Sequence, residues 1–270
     1  MKITFLGGGN MANALIGGLV KQGFAAADIA VVELSAEGRG KLQSAYGVRC
    51  VEQVDAAAAD CDVLVLAVKP QQMKAAVAPL VPLLKQQVVV SIAAGLRLAD
   101  MSRWLGGHRK LVRTMPNTPA LIGAGVTGLN ALPEVSAAER AAAEKVLQAV
   151  GTTVWIDDEA QMDAVTAVSG SGPAYVFLFI EALQQAGEKL GFTPGQARQL
   201  AIETTLGAAK LAAQSPEPAS VLRERVTSKG GTTEAALRTM GERGVLAGIV
   251  AGVEAANARG RELGELLGKD

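Results

Sequence analysis

The chain has 270 residues, with 26 basic against 26 acidic side chains and no formal net charge; 49% of it is hydrophobic and 3% aromatic. That balance excludes intrinsic disorder, and without a basic run it gives nucleic acid or an anionic membrane nothing to attract. One histidine, His108, and two cysteines, Cys50 and Cys61, are too few and too widely spaced for a Cys/His metal site, so no metal is expected.

The first half alternates short apolar runs with helical patterns. Strands are expected at Ile3–Leu6, Ile29–Val32, Val48–Cys50, Val63–Ala67, Val88–Ile92 and Leu111–Thr114, with helices near Met11–Gln22, Ala36–Tyr46, Gln71–Leu84 and Leu98–Leu105. Runs such as VLVLAV and VVVSIA do not alternate with period two, which is the mark of parallel strands buried on both faces. One more strand is expected at Thr152–Ile156, after which the chain reads almost wholly helical. The resulting fold class is α/β, an N-terminal Rossmann-type parallel sheet with a C-terminal all-helical domain, divided as residues 1–157 and 158–270.

In the helical part, Thr193-Pro194-Gly195-Gln196 combines an N-cap, a proline at the first helical position and a capping-box glutamine. The helix before it contains YVFLFIEAL (175–183), apolar on all sides at its start. About 110 residues are too few to enclose such a helix, so it is expected to be buried in a homo-oligomer. The start MKITFLGGGN breaks into glycines too early for a secretory signal. Prolines and glycines interrupt the longest uncharged stretch, Thr114 to Pro133, and argue against a membrane helix there. With both cysteines read as reduced core residues, a cytoplasmic protein is expected.

The chemistry begins at Leu6-Gly7-Gly8-Gly9-Asn10-Met11-Ala12, directly after the first strand. Gly7-x-Gly9-x-x-Ala12 fits the dinucleotide fingerprint: Gly7 allows the tight turn, Gly9 lets backbone approach a pyrophosphate, and Ala12 lets the helix pack on the sheet. Free N–H groups at the helix start then hold the phosphates. At the end of the second strand, Glu33 would bond a ribose 2′-OH and favour NAD, whereas Ser35 and Arg39 suit a 2′-phosphate; Ser35 also reads as a plain N-cap, and the pattern leaves the choice open.

Ala67-Val68-Lys69-Pro70 and Met115-Pro116-Asn117-Thr118-Pro119 follow later strands, at the edge where open α/β sheets bind ligands. Asn117 offers both donor and acceptor to a cofactor or substrate, though Pro and Asn also make ordinary turns. In VTSKGGTTEAAL (226–237), two glycines precede a helix start surrounded by the hydroxyls of Ser228, Thr232 and Thr233, which suits a carboxylate. SGSGPAY (169–175) is a further Gly/Ser turn before a helix.

In this order and spacing, GGGNMA, AVKP, MPNTP, SGSGPAY and VTSKGGTT resemble the pyrroline-5-carboxylate reductase family over essentially the whole chain. The resemblance implies NAD(P)H-dependent reduction of 1-pyrroline-5-carboxylate to L-proline, with NADPH the expected donor and NADH an alternative. It implies a homodimer through the helical domain, in some members five dimers in a decamer. Leu6, Gly7, Gly8, Gly9, Asn10 and Met11 become the phosphate loop, Ser35 a contact to the adenosine ribose or its phosphate, and Ala67, Val68, Lys69, Pro70, Ala93 and Ala94 the cofactor lining. Ser228, Gly231, Thr232 and Thr233 become the substrate carboxylate site, Thr233 the catalytic hydroxyl at the ring nitrogen, and Glu159 a residue close to the substrate. Lys229 departs from the family's usual SPGGTT by replacing proline, which frees a φ angle and adds a mobile cation.

Such a reaction fits a chain with one histidine. A cyclic imine that arrives protonated needs no strong general acid, so orienting two reactants is most of the task. A β-hydroxyacid dehydrogenase would need a lysine on a long helix beside a glycine-rich segment, and neither Lys189 nor Lys210 follows one closely. A non-catalytic NAD(P)-binding regulator would not need the turn at 228–233. His108, Trp104 and Trp155 read as structural.

Overall fold

The computed structural model describes residues 1–269, which form two compact units: residues 1–171 with the chain from Ala256 onward, and Gly172–Ala255. The first is built on one sheet of eight strands, β1 (Ile3–Leu6), β2 (Ile29–Val32), β3 (Arg49–Val51), β4 (Val63–Leu66), β5 (Val88–Ser91), β6 (Leu111–Met115), β7 (Gly125–Ala131) and β8 (Gly151–Trp155). Their order is β3-β2-β1-β4-β5-β6-β7-β8. Every pair is parallel except β6 with β7. Helices α1 (Asn10–Lys21), α2 (Ala36–Tyr46), α3 (Ala56–Ala59), α4 (Met73–Val77), α5 (Leu98–Trp104), α6 (Ala137–Gln148) and α7 (Met162–Val165) connect and follow these strands.

Successive side chains of the central strands enter opposite cores. Ile3, Phe5, Val63, Val65, Val88 and Val90 join Leu15, Ile16 and Leu19 of α1 and Val146 and Leu147 of α6. Leu6, Leu64, Leu66 and Val89 join Met73 and Val77 of α4 and Leu98 and Met101 of α5. Burial on both faces is why these strands read as continuous apolar runs. Each such side chain contributes about 1.5–3 kcal/mol.

Three expectations need correction. The segment at 71–84 is not one helix: short 3₁₀ turns at Pro70–Gln72 and Ala78–Leu83 flank α4. Pro79 and Pro82 lack the N–H groups a continuous α-helix would use. Strand β7 lies inside the stretch Thr114 to Pro133, where no strand was expected beyond Thr114, because Gly125 and Gly128 mask its pattern. The observed β8, Gly151–Trp155, is one residue earlier than expected.

The second unit comprises α8 (Gly172–Lys189), α9 (Pro194–Gln214), α10 (Ala219–Arg225), α11 (Thr232–Glu242) and the first part of α12 (Val245–Leu267). Helices α8 and α9 pack on each other. Their connection shows the expected capping box, with Thr193 Oγ1 accepting from Gln196 N and Gln196 Oε1 accepting from Thr193 N. No residue of α8 is buried, and Phe177 and Leu178 are 65% and 66% exposed. By length and composition, the helical run 159–189, which contains an 18-residue window with a mean hydropathy of 1.2, is also long and apolar enough to cross a membrane.

Candidate functional site

The sheet order changes direction at β1, so the loops after β1 and β4 lie side by side at its carboxyl edge, where open α/β sheets bind ligands. The main chain fastens the glycine turn to both neighbours. Gly7 N donates to Val32 O and Ala67 N donates to Leu6 O, each at 2.8 Å. Gly7 has φ +102°, and a Cβ there would lie 2.8 Å from Ala67 O, so only glycine fits this turn without strain.

Helix α1 opens at Asn10 with Gly9 as N-cap, without a side-chain cap and without an acid in its first turn. Nothing lies within 4 Å of where a Gly9 Cβ would stand. Bare N–H groups facing open space at a helix N-terminus are what a pyrophosphate requires, so a dinucleotide fits the residues present. Lys69 is exposed and Pro70 opens a 3₁₀ turn beside this loop. One strand further, Ala93 N donates to Ser91 Oγ at 3.3 Å, and Gly95 follows at φ +79°. Ala93 is buried and Ala94 exposed at this turn.

At the end of β2, Ser35 is the N-cap of α2, its Oγ accepting from Gly38 N at 3.2 Å. Glu33 turns inward: its Oε2 accepts from Gly8 N at 2.9 Å and its Oε1 from Ser35 N at 2.8 Å. Arg39 Nη1 donates to the carbonyls of Glu33 and Leu34, both at 2.8 Å.

Asn117 is buried, and the chain itself engages its amide. Oδ1 accepts from Val126 N at 3.0 Å, while Nδ2 lies 3.3 Å from Ser169 Oγ. It therefore joins the turn after β6 to the start of β7 and to the Thr166–Gly170 segment. Glu159 is similarly engaged, its Oε1 accepting from Leu98 N at 2.7 Å and from Arg113 Nη1 at 3.2 Å. Arg113 also reaches Asp163 Oδ1 at 2.8 Å. These three residues, with Arg97, Ala160 and Arg261, line a cavity of about 370 Å³. Sequence reasoning missed Arg113 and Asp163, although an arginine inside a buried strand signals a carboxylate partner elsewhere.

In the second unit, the structure gathers Ser228, Gly231, Thr232 and Thr233 into one turn at the start of α11. Gly231 is the N-cap without a side-chain cap, and Gly231 N donates to Ser228 O at 3.0 Å. Ser228 Oγ sits so near that a Gly231 Cβ would lie 2.5 Å from it. Glu234 Oε2 accepts from Gly230 N at 2.7 Å, tying the glycines to the helix they precede. The first-turn N–H groups of Thr232 and Thr233 have no intrahelical acceptor, which leaves them for an anion. Lys229 is exposed on the same turn.

Four residues outside these turns have definite surroundings. His108 is half-buried, its Nε2 lying 2.9 Å from Gln87 O, and burial holds its pKa below the ordinary value. Burial pushes the Cys61 thiol up to about 11 and raises the Cys50 thiol as well. Both cysteines are free. Trp155 packs under Arg140, whose guanidinium carbon is 5.0 Å from the ring centroid. Among the described residues, no group of three or more His, Cys, Asp or Glu is placed to hold a metal ion.

Comparison with known proteins identifies the family. Residues 159–263 match the family model described as pyrroline-5-carboxylate reductase dimerisation, and residues 2–95 match one described as NADP oxidoreductase, coenzyme F420-dependent. The pyrroline-5-carboxylate reductase of Pseudomonas aeruginosa is 50% identical over 269 residues, covering 99% of this chain and 98% of that protein. A solved pyrroline-5-carboxylate reductase from Coxiella burnetii superposes with a TM-score of 0.92 at 39% identity, covering 97% of this chain and 98% of that one. The Plasmodium falciparum pyrroline carboxylate reductase, solved with NADP bound, gives a TM-score of 0.86 at 28% identity and covers 98% of both chains. With half its residues identical to such a relative across nearly its whole length, this chain belongs to the pyrroline-5-carboxylate reductase family.

Proposed function

We propose that this protein reduces 1-pyrroline-5-carboxylate to L-proline in the cytoplasm, with NADPH as the preferred donor and NADH as a second one. The observation that carries this reading is the uncapped start of α11, where Ser228 and the N–H groups of Thr232 and Thr233 stand together. A dinucleotide-binding regulator has no use for such a turn.

The dinucleotide is held by the loop Leu6, Gly7, Gly8, Gly9, Asn10 and Met11, by Ser35, and by Ala67, Val68, Lys69, Pro70, Ala93 and Ala94. Asn117 belongs to the same edge and acts by holding the turn after β6 in place, since its own amide is already engaged. When bound, the dinucleotide supplies a hydride to the carbon of the substrate C=N bond.

The chain's own residues have modest tasks. Ser228, Gly231, Thr232 and Thr233 bind the substrate carboxylate through N–H and hydroxyl groups, which fixes the ring's orientation. The Thr233 hydroxyl bonds the ring nitrogen, accepting from its N–H in the protonated imine or relaying a proton to it. Glu159, which the family resemblance puts close to substrate, stays 30% exposed after bonding Leu98 and Arg113. No strong acid is required, which fits the absence of histidine from every one of these turns.

Residues 158–270 serve as the substrate-binding and dimerisation domain. A second copy covering Phe177, Leu178, Phe179 and their neighbours buries apolar surface that a water-filled setting disfavours. The matched dimerisation model supports that occupant over a lipid bilayer for the run 159–189. Light scattering distinguishes a dimer from a decamer of five dimers, and a monomer would overturn the assembly reading.

Paired kinetics with NADPH and NADH on 1-pyrroline-5-carboxylate test the reaction. Turnover with lower KM for NADPH is expected. Absence of nicotinamide oxidation with either donor overturns the function, and a lower KM for NADH overturns the preference.

A further inference from the structure

We propose that Glu33 is a positioning residue of the dinucleotide site, tying the glycine loop to the turn after β2, and that it is not a ligand of the ribose. The proposal rests on reading Leu6–Met11 as the dinucleotide loop. An acid at the end of the second strand ordinarily accepts from a ribose 2′-OH and so repels a 2′-phosphate. Here both carboxylate oxygens are turned the other way, Oε2 onto Gly8 N at 2.9 Å and Oε1 onto Ser35 N at 2.8 Å.

The surroundings are shaped to hold the carboxyl group in that direction. A Cβ on Gly8 would stand 3.1 Å from Oε2, and a Cβ on Gly38 would stand 3.1 Å from Glu33 Cγ. The side chain therefore lies in a slot that two glycines leave open, one in the phosphate loop and one in the first turn of α2. The main chain of Glu33 is fixed as well. Its N–H donates to Val51 O at 2.9 Å, and its carbonyl accepts from Arg39 Nη1 at 2.8 Å. Arg39 reaches the carbonyl of Leu34 with the same nitrogen, so one guanidinium and one carboxylate brace the Glu33–Ser35 turn from two sides.

Two consequences follow. The Gly8 N–H is not offered to the pyrophosphate, which leaves that task to the N–H groups at the start of α1. Each carboxylate oxygen is taken by an N–H donor and so is not turned to accept from a ribose 2′-OH. Ser35 caps α2, and Arg39 is held by the carbonyls of Glu33 and Leu34 and by Glu52 at 3.4 Å, so neither the carboxylate nor the guanidinium is turned to choose between phosphorylated and unphosphorylated dinucleotides. The two bonds act on loop placement, which both dinucleotides share.

The test is fluorescence titration of NADPH and of NADH, without substrate, into the wild-type protein and the Glu33→Gln variant. An amide keeps one acceptor oxygen but sets an NH₂ group against the other backbone donor. Kd for both dinucleotides is expected to rise about tenfold, with the ratio of the two held within about twofold. Weaker NADH binding with unchanged or tighter NADPH binding would show that Glu33 holds the ribose, and would overturn the proposal. Unchanged affinity for both would do the same.

Amide hydrogen exchange on the wild-type protein gives an answer that needs no variant to fold. The Gly8 and Ser35 amides are expected to be protected in the free protein and to remain so with NADPH bound. In Glu33→Gln, exchange should quicken at these two amides while the strand amides keep their protection. Loss of Ser35 protection on adding NADPH would mean that Glu33 is drawn away from this turn, against the proposal. If the wild-type protein binds neither dinucleotide, the functional reading itself fails, which separates that failure from this one.

Discussion

Arg113 on β6 and Asp163 on α7 meet at 2.8 Å with their side chains only 4% and 9% exposed. Glu159 completes the arrangement from the opposite side of the guanidinium and also accepts from Leu98 N at the start of α5. One buried cation thus fastens the 159–165 segment to the sheet and, through Glu159, to the helix that follows the Ala93–Gly95 turn. Removing the cation leaves a carboxylate buried without a partner. Arg113→Met is expected to cost about 3–5 kcal/mol and to lower Tm by roughly 10 °C. Adding Asp163→Asn should recover part of that loss, because the two groups are coupled. Thermal melts of the single and double variants check this, and additive losses would show that the pair does not interact.

Thr233 tests the substrate turn. Thr233→Ala keeps the backbone N–H that holds a carboxylate and removes only the hydroxyl. We expect kcat/KM for 1-pyrroline-5-carboxylate to fall by about 10- to 100-fold with the Kd for NADPH unaltered. Thr233→Ser should restore most of the rate. An unaltered kcat/KM in the alanine variant would remove this hydroxyl from the chemistry.

His108 makes stability depend on pH in one direction. Burial lowers its pKa in the folded state, with Lys110 lowering it further and Glu139 opposing. As pH falls through about 6.5, the unfolded chain takes up the proton while the folded chain resists it. Stability is therefore present above that pH and is lost on acidification, until the folded histidine is itself protonated. The fall in Tm between pH 7.5 and 5.5 should be smaller in His108→Gln than in the wild type. An equal fall in both would show that the histidine does not contribute.

The two thiols should differ in reactivity. With its thiol pushed up to about 11 by burial, Cys61 holds roughly one part in a thousand as thiolate at pH 8. Native protein treated with an aromatic disulfide reagent at that pH should label Cys50 ahead of Cys61. In a Cys50→Ser variant, labelling should stay slow until denaturant is added. Rapid reaction of Cys61 in the folded protein would contradict the burial that raises its pKa.

Strands β1 to β6, helices α1, α2 and α5, the glycine turn, the Thr193 capping box and the turn at 228–233 were legible in the amino-acid sequence. Each depends on residues that are neighbours along the chain: apolar runs, φ-permissive glycines, hydroxyls beside a helix start. Strand β7 was not legible, because glycines at 125 and 128 hide a strand whose support comes from pairing with β6 and β8. Helix α6 had a local signal in Ser136 and Glu139, which form a capping box, but its apolar positions are mostly alanine and its periodicity is faint.

At the cofactor edge the limit was sharper. Glu33, Ser35 and Arg39 were visible as candidates for meeting a dinucleotide's ribose or its phosphate, and nothing along the chain told which way each would turn. The direction of the Glu33 carboxylate depends on Gly8, 25 residues earlier, and on the slot that Gly8 and Gly38 leave open. The partners of Arg113 lie 46 and 50 residues away. Chemistry set by a turn or a helix start is local, and the sequence by itself determined it. Where a charged side chain points depends on which donors and acceptors the packed sheet brings within 3 Å, and only the tertiary structure decided that.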